Sequence, residues 1–256
     1  MFTRAITRTP APNFAQGLTT VNLGIPDYEK TIAEHQLYLA VLQLCGLTLT
    51  ELSDDSRYPD STFVEDTAII TEHGAILTRP GAESRAGEAD AIKTTLKSFY
   101  PELGEITAPG KVDGGDICEA GAHFFIGISL RTNEAGGQQL ADWLSSKGYT
   151  SSFVNIRYTR DILHLKSGIS YIGDNRLVVI DSLANHPGFK GHELVRVAPG
   201  EEYAANCIRI NDYILIAAGF PKFEATLRGL GYNLIVLDMS EYQKMDGGLS
   251  CLSLRF

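Results

Sequence analysis

Cysteine is scarce in this sequence, and its spacing excludes two common roles. The 256 residues contain four cysteines, at positions 45, 118, 207 and 251, and no two of them form a Cys-x-x-Cys pair. Structural zinc sites and disulfide frameworks need closely or regularly spaced cysteines. We therefore expect four thiols in a reducing compartment rather than a metal- or disulfide-stabilised fold.

Long apolar runs and clusters of basic residues are also missing. No segment approaches the roughly 18–20 uninterrupted apolar residues that span a bilayer. The first residues, MFTRAITRTPAPNF, lack the apolar core of a signal peptide and indicate a short alternating strand. The formal net charge is −9, which argues against a nucleic-acid partner. The sequence thus predicts a cytoplasmic protein with neither a membrane nor a nucleic acid as partner.

What the sequence does contain is a repeat. Five segments combine an acidic or glycine-rich start, an apolar strand, a tight turn and a second apolar strand. Their starts are 40 to 52 residues apart, at Phe63, Val112, His164, Ala204 and Asp246. The first four turns contain TEHG, EAGA, GDN and IND, which are typical of hairpins. The fifth segment stops at Phe256, and the N-terminal MFTRAITR would supply its missing strand and close a ring.

Helical patterns lie between the hairpins, over residues 27–45, 88–99, 134–147 and 223–230. Short strands follow three of them, in LTLTEL, SSFVNI and NLIVLD. A hairpin, a helix and a strand repeated about five times predict a closed five-bladed α/β propeller, a single domain over residues 1–256. A doubly wound sheet would also alternate helices and strands, but neither GxGxxG nor GxxxxGK[ST] is present.

Polar residues with catalytic potential fall near the starts of these repeats. They are Asp60, Glu65 and Asp66 in the first, Asp113 and Asp116 in the second, His164 in the third and Cys251 in the fifth. Repeats arranged around an axis would bring them to one cavity. A thiol and an imidazole are the minimum for nucleophilic catalysis, and a carboxylate can orient the imidazole. A cysteine in an apolar segment is more often a packing residue, so both interpretations of Cys251 stay open.

The acidic stretch PDSTFVED also has more than one interpretation. Paired carboxylates match the planar fork of a guanidinium ion. Clustered acids also suit calcium, although the spacing fits no EF-hand, and a solvated acidic loop is the third alternative. Arg85 and Arg131 follow hairpin strands closely, where they would either bind a substrate carboxylate or remain solvated.

Six motifs together carry a resemblance to a known family. PDSTFVED, RPGAESR, DGGD, RTN, HLK and DGGLSC occur in this order, as in the dimethylarginine dimethylaminohydrolases, and the resemblance spans the chain. That family has the pentein fold, a five-bladed α/β propeller. The resemblance implies that Cys251 is the nucleophile, that His164 is the general acid and base, and that Asp113 is the carboxylate at the site.

The resemblance also implies how an arginine-like substrate is held. The residues concerned are Glu65 and Asp66 for the guanidinium group, Asp60 and the main chain of Leu18 for the α-amino group, Arg85 and Arg131 for the α-carboxylate, and the carbonyl of Met245. Phe63 would shape the pocket, and residues 13–26 would form a lid.

The expected reaction is hydrolysis of Nω,Nω-dimethyl-L-arginine or its monomethyl analogue to L-citrulline, through a covalent thiouronium intermediate on Cys251. No metal or organic cofactor is expected to be required, while ligand softness suggests that zinc inhibits by binding Cys251 and His164. The alternatives are an arginine deiminase-type hydrolase and a non-catalytic binder of arginine-like cations. Exposed propeller flanks would also allow a homodimer.

Overall fold

Five three-stranded sheets with one connectivity recur along the computed structural model, which describes residues 1–159 and 162–256. The strands are β1 (Arg4–Arg8), β2 (Thr48–Leu52), β3 (Ala68–Thr71), β4 (Gly74–Leu77), β5 (Leu103–Glu105), β6 (Ile117–Ala120), β7 (His123–Ile128), β8 (Thr150–Asn155), β9 (Ile169–Tyr171), β10 (Arg176–Val179), β11 (Glu193–Arg196), β12 (Ile208–Ile210), β13 (Tyr213–Ala217), β14 (Asn233–Leu237) and β15 (Leu254–Arg255). Each sheet joins an antiparallel pair to a third strand that runs parallel to the middle one. This connectivity confirms the predicted class, a five-bladed α/β propeller.

Two of the sheets lie in a first compact unit, which consists of Met1–Val64 and Val197–Phe256. Strand β1 pairs antiparallel with β15 and parallel with β2, and β13 pairs in the same way with β12 and β14. Ile6 lies opposite Leu254. The N-terminal strand therefore completes the fifth repeat, as predicted.

The second compact unit, Glu65–Arg196, holds the other three sheets. Their strand orders are β3-β4-β5, β6-β7-β8 and β11-β10-β9. A single bridge between Arg79 and Val112 precedes the second of these sheets. The organisation of residues 1–256 as a single domain stays a prediction.

The helices are α1 (Tyr28–Leu44), α2 (Glu88–Leu96), α3 (Glu134–Ser146), α4 (Pro221–Gly229) and α5 (Ser240–Gln243). The four predicted helices are confirmed. Asp27 caps α1 by accepting the Lys30 N–H at 2.9 Å, and Gly148 has a positive φ of 87° just after α3, as expected for a helix end. The prediction that every repeat has a helix is wrong for the third repeat, where only a 3-10 turn at Pro187–Phe189 lies between β10 and β11.

Burial of β1 does not follow the alternation that we expected. Residues 5–8 are all buried. Strand β1 is the middle strand of its sheet, and a strand covered on both faces is buried continuously.

Each unit has its own apolar core. In the first unit, Tyr38 and Leu42 of α1 pack with Leu215, Leu237 and Leu252. In the second, Ile76, Phe124 and Ile126 pack with Leu140 and Leu144 of α3. Across residues 1–159 and 162–256, no helix has the length and apolar character needed to cross a membrane.

Candidate active site

His164 is held by a buried carboxylate in the second unit. It precedes a 3-10 turn at Leu165–Ser167 and is 8% exposed. Its Nε2 lies 3.0 Å from Oδ2 of Asp113, whose Oδ1 accepts the Gly81 N–H at 2.7 Å. A Cβ atom on Gly115 would lie 2.7 Å from Nδ1 of His164. The second glycine of DGGD therefore lets the imidazole approach the main chain.

Asp66 connects His164 to a buried arginine. Its Oδ1 accepts the Gly115 N–H at 2.8 Å and its Oδ2 accepts Nη1 of Arg85 at 2.6 Å. Arg85 also donates Nε and Nη2 to the two oxygens of Glu88, at 2.9 and 2.7 Å. Both ion pairs are buried, and the bidentate geometry is the strong form of such a pair.

These charges shift the ionisation of the central groups. Burial alone would lower the pKa of His164, but Asp66, Asp113 and Asp116 raise it to about 9. Burial would raise the pKa of Asp66, yet Arg85 and His164 hold it at about 2. At neutral pH, His164 is therefore an imidazolium ion beside an ionised Asp66.

Glu65 and Arg131 differ in how they are held. Glu65 is 4% exposed, and its Oε1 accepts Nζ of Lys166 at 2.5 Å. Arg131 is half-buried, and its N–H donates to Oγ of Ser129 at 2.9 Å. Its guanidinium group forms no hydrogen bond or ion pair within the described part of the chain. Arg131 thus offers a cationic group for an anionic ligand.

The first unit carries Cys251 on a 3-10 turn at Leu249–Leu252. Cys251 is partly exposed, and its N–H donates to the Gly248 carbonyl at 3.1 Å. Asn206 holds the preceding residue on two sides, because its Oδ1 accepts the Ser250 N–H at 3.0 Å and its Nδ2 donates to Ser250 Oγ at 3.1 Å.

A half-buried tyrosine supports the glycines before this turn. Tyr203 donates its hydroxyl to the Gly247 carbonyl at 2.7 Å. Burial raises the pKa of Tyr203 well above its usual range, and the nearby Cys251 adds to this effect. Tyr203 therefore keeps its proton and remains a donor next to the thiol. All four cysteines lie among the described residues, and none forms a disulfide.

The other predicted site residues of the first unit form two groups. Asp60 is buried, and both its oxygens accept the Leu18 N–H, at 3.1 and 3.2 Å. Phe63 and Met245 belong to the apolar core, where the Phe63 ring lies 5.8 Å from that of Phe14. In the segment that follows Leu18, the N–H of Thr20 donates a hydrogen bond to Oδ2 of Asp246 at 2.5 Å.

The structure thus brings Asp66, Asp113, His164 and Arg85 into one buried cluster of the second unit. Leu18 and Asp60 meet within the first unit, which also carries the Cys251 turn. Sequence reasoning assigned no role to Glu88, Lys166 or Asn206. The motif HLK contained Lys166, but nothing in it showed which partner the side chain would contact.

Metal ligation is one capacity of the second-unit cluster. Asp66, Asp113 and His164 offer ligand atoms that all lie within 4.8 Å of one another. Three of the four carboxylate oxygens accept hydrogen bonds from Gly81, Gly115 and Arg85, and the fourth, Oδ2 of Asp113, lies 3.0 Å from Nε2 of His164. The predicted inhibitory zinc at Cys251 and His164 stays a prediction.

Comparison with known proteins identifies the class. A family model described as Arginine deiminase matches residues 56–212, which is 157 of the 256 residues and more than half of the chain. The chain therefore belongs to the arginine deiminase family.

Individual relatives identify a narrower family within this one. The N(G),N(G)-dimethylarginine dimethylaminohydrolase of Pseudomonas aeruginosa is 44% identical over the full length of both chains. The enzyme of the same name from Streptomyces coelicolor is 31% identical over 98% of this chain and 96% of the relative. A crystal structure of the Pseudomonas enzyme, a cysteine-to-serine variant complexed with citrulline, matches with a TM-score of 0.97 at 43% identity over the whole of both chains. The chain belongs to the dimethylarginine dimethylaminohydrolase family.

Proposed function

We propose that this enzyme hydrolyses Nω,Nω-dimethyl-L-arginine to L-citrulline and dimethylamine, and Nω-monomethyl-L-arginine to L-citrulline and methylamine. The observation that carries the proposal is the buried pairing of a protonated His164 with Asp113 and Asp66. Such a cluster suits a cationic substrate whose leaving amine needs a proton. The citrulline complex of the Pseudomonas relative supports the same product.

Recognition of the guanidinium group is assigned to Asp66 and Glu65. The pKa of Asp66 is about 2, so this carboxylate is ionised throughout the physiological range. A carboxylate that binds the guanidinium group keeps it protonated. The protonated form is the better electrophile, because its positive charge draws electrons from the central carbon.

The amino-acid end of the substrate is assigned to separate groups. Asp60 and the main chain of Leu18 would bind the α-amino group, and Arg131 and Arg85 the α-carboxylate. The half-buried guanidinium group of Arg131 supports this role. For Arg85, the two buried carboxylates that fix its guanidinium group also fix the direction in which it faces. The Met245 carbonyl and the Phe63 ring would complete the contacts.

In the proposed reaction, Cys251 attacks the guanidinium carbon as a thiolate and forms a carbon–sulfur bond. His164 gives its proton to the dimethylamino nitrogen, so that the carbon–nitrogen bond breaks and dimethylamine leaves. The neutral His164, held by Asp113, then takes a proton from water as the water attacks the thiouronium carbon. The carbon–sulfur bond then breaks, the hydroxyl proton of the adduct passes to solvent, and citrulline leaves while Cys251 returns to the thiolate. With a pKa of about 9, His164 is protonated at neutral pH, as its first role as proton donor to the leaving amine requires.

The test is a product assay with Nω,Nω-dimethyl-L-arginine, scoring citrulline and dimethylamine, beside Cys251→Ser. The variant should lose turnover and bind the substrate within about tenfold of wild type, or roughly 1.4 kcal/mol. Cys118→Ser is the matched control, because Cys118 is a buried thiol of the second unit and should not be needed for turnover. Equal loss of binding and turnover in Cys251→Ser would contradict the nucleophile assignment.

Two other functions are decided by the same assay. Citrulline formed from L-arginine, and little from the methylated substrate, would indicate an arginine deiminase activity. Binding without product from either substrate would indicate a non-catalytic binder of arginine-like cations.

We further propose that the enzyme works without a resident metal or organic cofactor and that zinc inhibits it through Cys251 and His164. Activity unchanged across a zinc titration would refute the inhibition. The same proposal includes a lid over residues 13–26, a homodimer and a cytoplasmic location. It also includes the lack of membrane or nucleic-acid partners. Sedimentation analysis tests the dimer.

A further inference from the structure

Asp116 has a carboxylate that the proposed reaction does not use. It ends the 3-10 turn Gly114–Asp116 and is completely buried. Its Oδ1 accepts the N–H of Leu165 at 3.0 Å, and its Oδ2 accepts the hydroxyl of Ser129 at 2.6 Å. Leu165 directly follows His164. One oxygen of Asp116 therefore holds the chain segment that carries the acid–base residue.

The other oxygen leads to the loop that carries Arg131. The Ser129 oxygen accepts two main-chain N–H groups, from Arg131 at 2.9 Å and from Thr132 at 3.0 Å. A hydroxyl has one donor and two acceptor positions. Ser129 uses both acceptor positions on the loop and its proton on Asp116, so the loop conformation depends on this carboxylate.

Thr132 strengthens the connection. Its hydroxyl also hydrogen-bonds Asp116, and its Oγ1 accepts the N–H of Asp113 at 3.0 Å. Asp113 is the residue that contacts His164. Asp116 thus lies between the His164–Asp113 pair and the loop that carries Arg131, and hydrogen bonds link it to both.

The packing around Asp116 is tight. A Cβ atom on Gly127 would lie 2.9 Å from Cβ of Leu165 and 3.1 Å from Oδ1 of Asp116. A buried carboxylate costs free energy unless hydrogen bonds compensate it. The donors that surround Asp116 supply this compensation.

We propose that Asp116 is a positioning residue, whose buried carboxylate fixes the segment carrying His164 relative to the loop carrying Arg131. The inference rests on the proposed function, because it concerns the acid–base group and the carboxylate-binding arginine of that reaction. Asp116 touches no substrate and acts through Leu165 and Ser129.

Two variants separate the two connections. Asp116→Asn replaces one acceptor oxygen by an NH2 group. Either the Leu165 N–H or the Ser129 hydroxyl then faces another donor and loses its acceptor. We expect kcat to fall tenfold or more, since a buried donor loses its partner. Ser129→Ala removes the Ser129 link between Asp116 and the Arg131 loop, leaves the Thr132 hydroxyl on Asp116, and should raise KM roughly three- to tenfold, with kcat within about threefold. Ser129→Thr restores the hydroxyl and should restore KM.

A ligand without a carboxylate distinguishes positioning from a general loss of structure. An N-alkyl-N′,N′-dimethylguanidine, used as a competitive inhibitor, cannot use Arg131. Its inhibition constant should not change in Ser129→Ala, while KM for dimethylarginine rises. Equal weakening of both ligands would overturn the proposal. Thr71→Ala is the matched control: it removes a buried hydroxyl that bonds only within the β3–β4 turn and should leave both constants unchanged.

The imidazole signals of His164 in nuclear magnetic resonance provide a readout independent of turnover. They should shift in Asp116→Asn and stay in place in Thr71→Ala. Unchanged signals in Asp116→Asn would overturn the proposal. A wild-type enzyme that forms no citrulline would refute the proposed function, and the His164 signals would still decide whether Asp116 positions this residue.

Discussion

Replacing Asp113 by Asn should lower the pKa of His164 by about one pH unit. In the native protein the Asp113 carboxylate lies 3.0 Å from Nε2 of His164, and the pKa of His164 is raised to about 9. A hydrogen bond to a charged group contributes roughly 1.5–3 kcal/mol. Asn keeps an acceptor oxygen without the charge and should retain about half of this. The half that is lost, up to about 1.5 kcal/mol, corresponds to about one pH unit.

The same change alters how stability depends on pH. Because the folded-state pKa of His164 is raised from 6.5 to about 9, its stabilisation is present below pH 6.5 and is lost as the pH rises through 9. Linkage gives a loss of roughly 3 kcal/mol between about pH 6 and 9 for the native protein. With the pKa near 8 in Asp113→Asn, the loss should be roughly 2 kcal/mol.

A nuclear magnetic resonance titration of the His164 Cε1–H signal measures the pKa, and urea unfolding at several pH values measures the stability. Asp181→Asn is the matched control: this carboxylate is exposed and contacts Arg196 at 3.4 Å, so solvent screening should leave His164 unaffected. A His164 pKa in Asp113→Asn that equals or exceeds the native value would refute the reasoning.

Two further predictions concern the buried ion pairs and the nucleophile turn. Arg85→Met leaves Asp66 and Glu88 buried without their cation and should cost about 3–5 kcal/mol in the free energy of urea unfolding. Gly248→Ala would place a Cβ atom 2.5 Å from Oδ1 of Asn206, which should cost about 1–3 kcal/mol and reduce kcat by displacing the turn.

Each of these variants has a matched control. Arg196→Met removes an arginine from an exposed pair and should cost less than about 1 kcal/mol. Gly229→Ala adds a Cβ atom with nothing within 4 Å and should leave kcat unchanged. A cost for Arg85→Met as small as that of Arg196→Met would contradict the buried-pair argument, and full kcat in Gly248→Ala would contradict the role of Asn206.

The fold was largely predictable because its signals are local. Asn211 in the fourth hairpin turn and Gly148 after α3 both have positive φ angles, and their residue types indicated those turns. Two elements lacked such signals. Helix α5 has four residues, too few for a periodic pattern, and the third repeat has Pro187 where other repeats have a helix.

The site was less predictable because its contacts join distant residues. The motifs identified Glu65, Asp66 and His164, but Lys166 lies 101 positions from Glu65, and Asn206 lies 44 positions from Ser250. Hydrogen bonds over such separations leave no pattern in a single sequence. The connection of Asp116 to Leu165, 49 positions away, is of the same kind.

Formal charges in the second unit explain why a cation suits this cluster. Together with the charged side chains next to it, the cluster has the carboxylates Glu65, Asp66, Glu88, Asp113 and Asp116 and the cations Arg85, His164 and Lys166. Five negative and three positive charges leave an excess of two negative charges. Burial raises the pKa of Asp116 to about 6. Because this value is still below neutral pH, the carboxylate is mostly ionised at pH 7.

The proposed reaction converts a cationic guanidinium group into the neutral ureido group of citrulline, so product should bind this cluster more weakly than substrate. Loss of one charge-assisted hydrogen bond, roughly 1.5–3 kcal/mol, corresponds to at least about tenfold in affinity. Calorimetry on Cys251→Ser allows both ligands to be compared without turnover. Agmatine, a cation without a carboxylate, separates the contribution of the cluster from that of Arg131. Citrulline that binds as tightly as dimethylarginine would show that the carboxylates of this cluster do not select for charge.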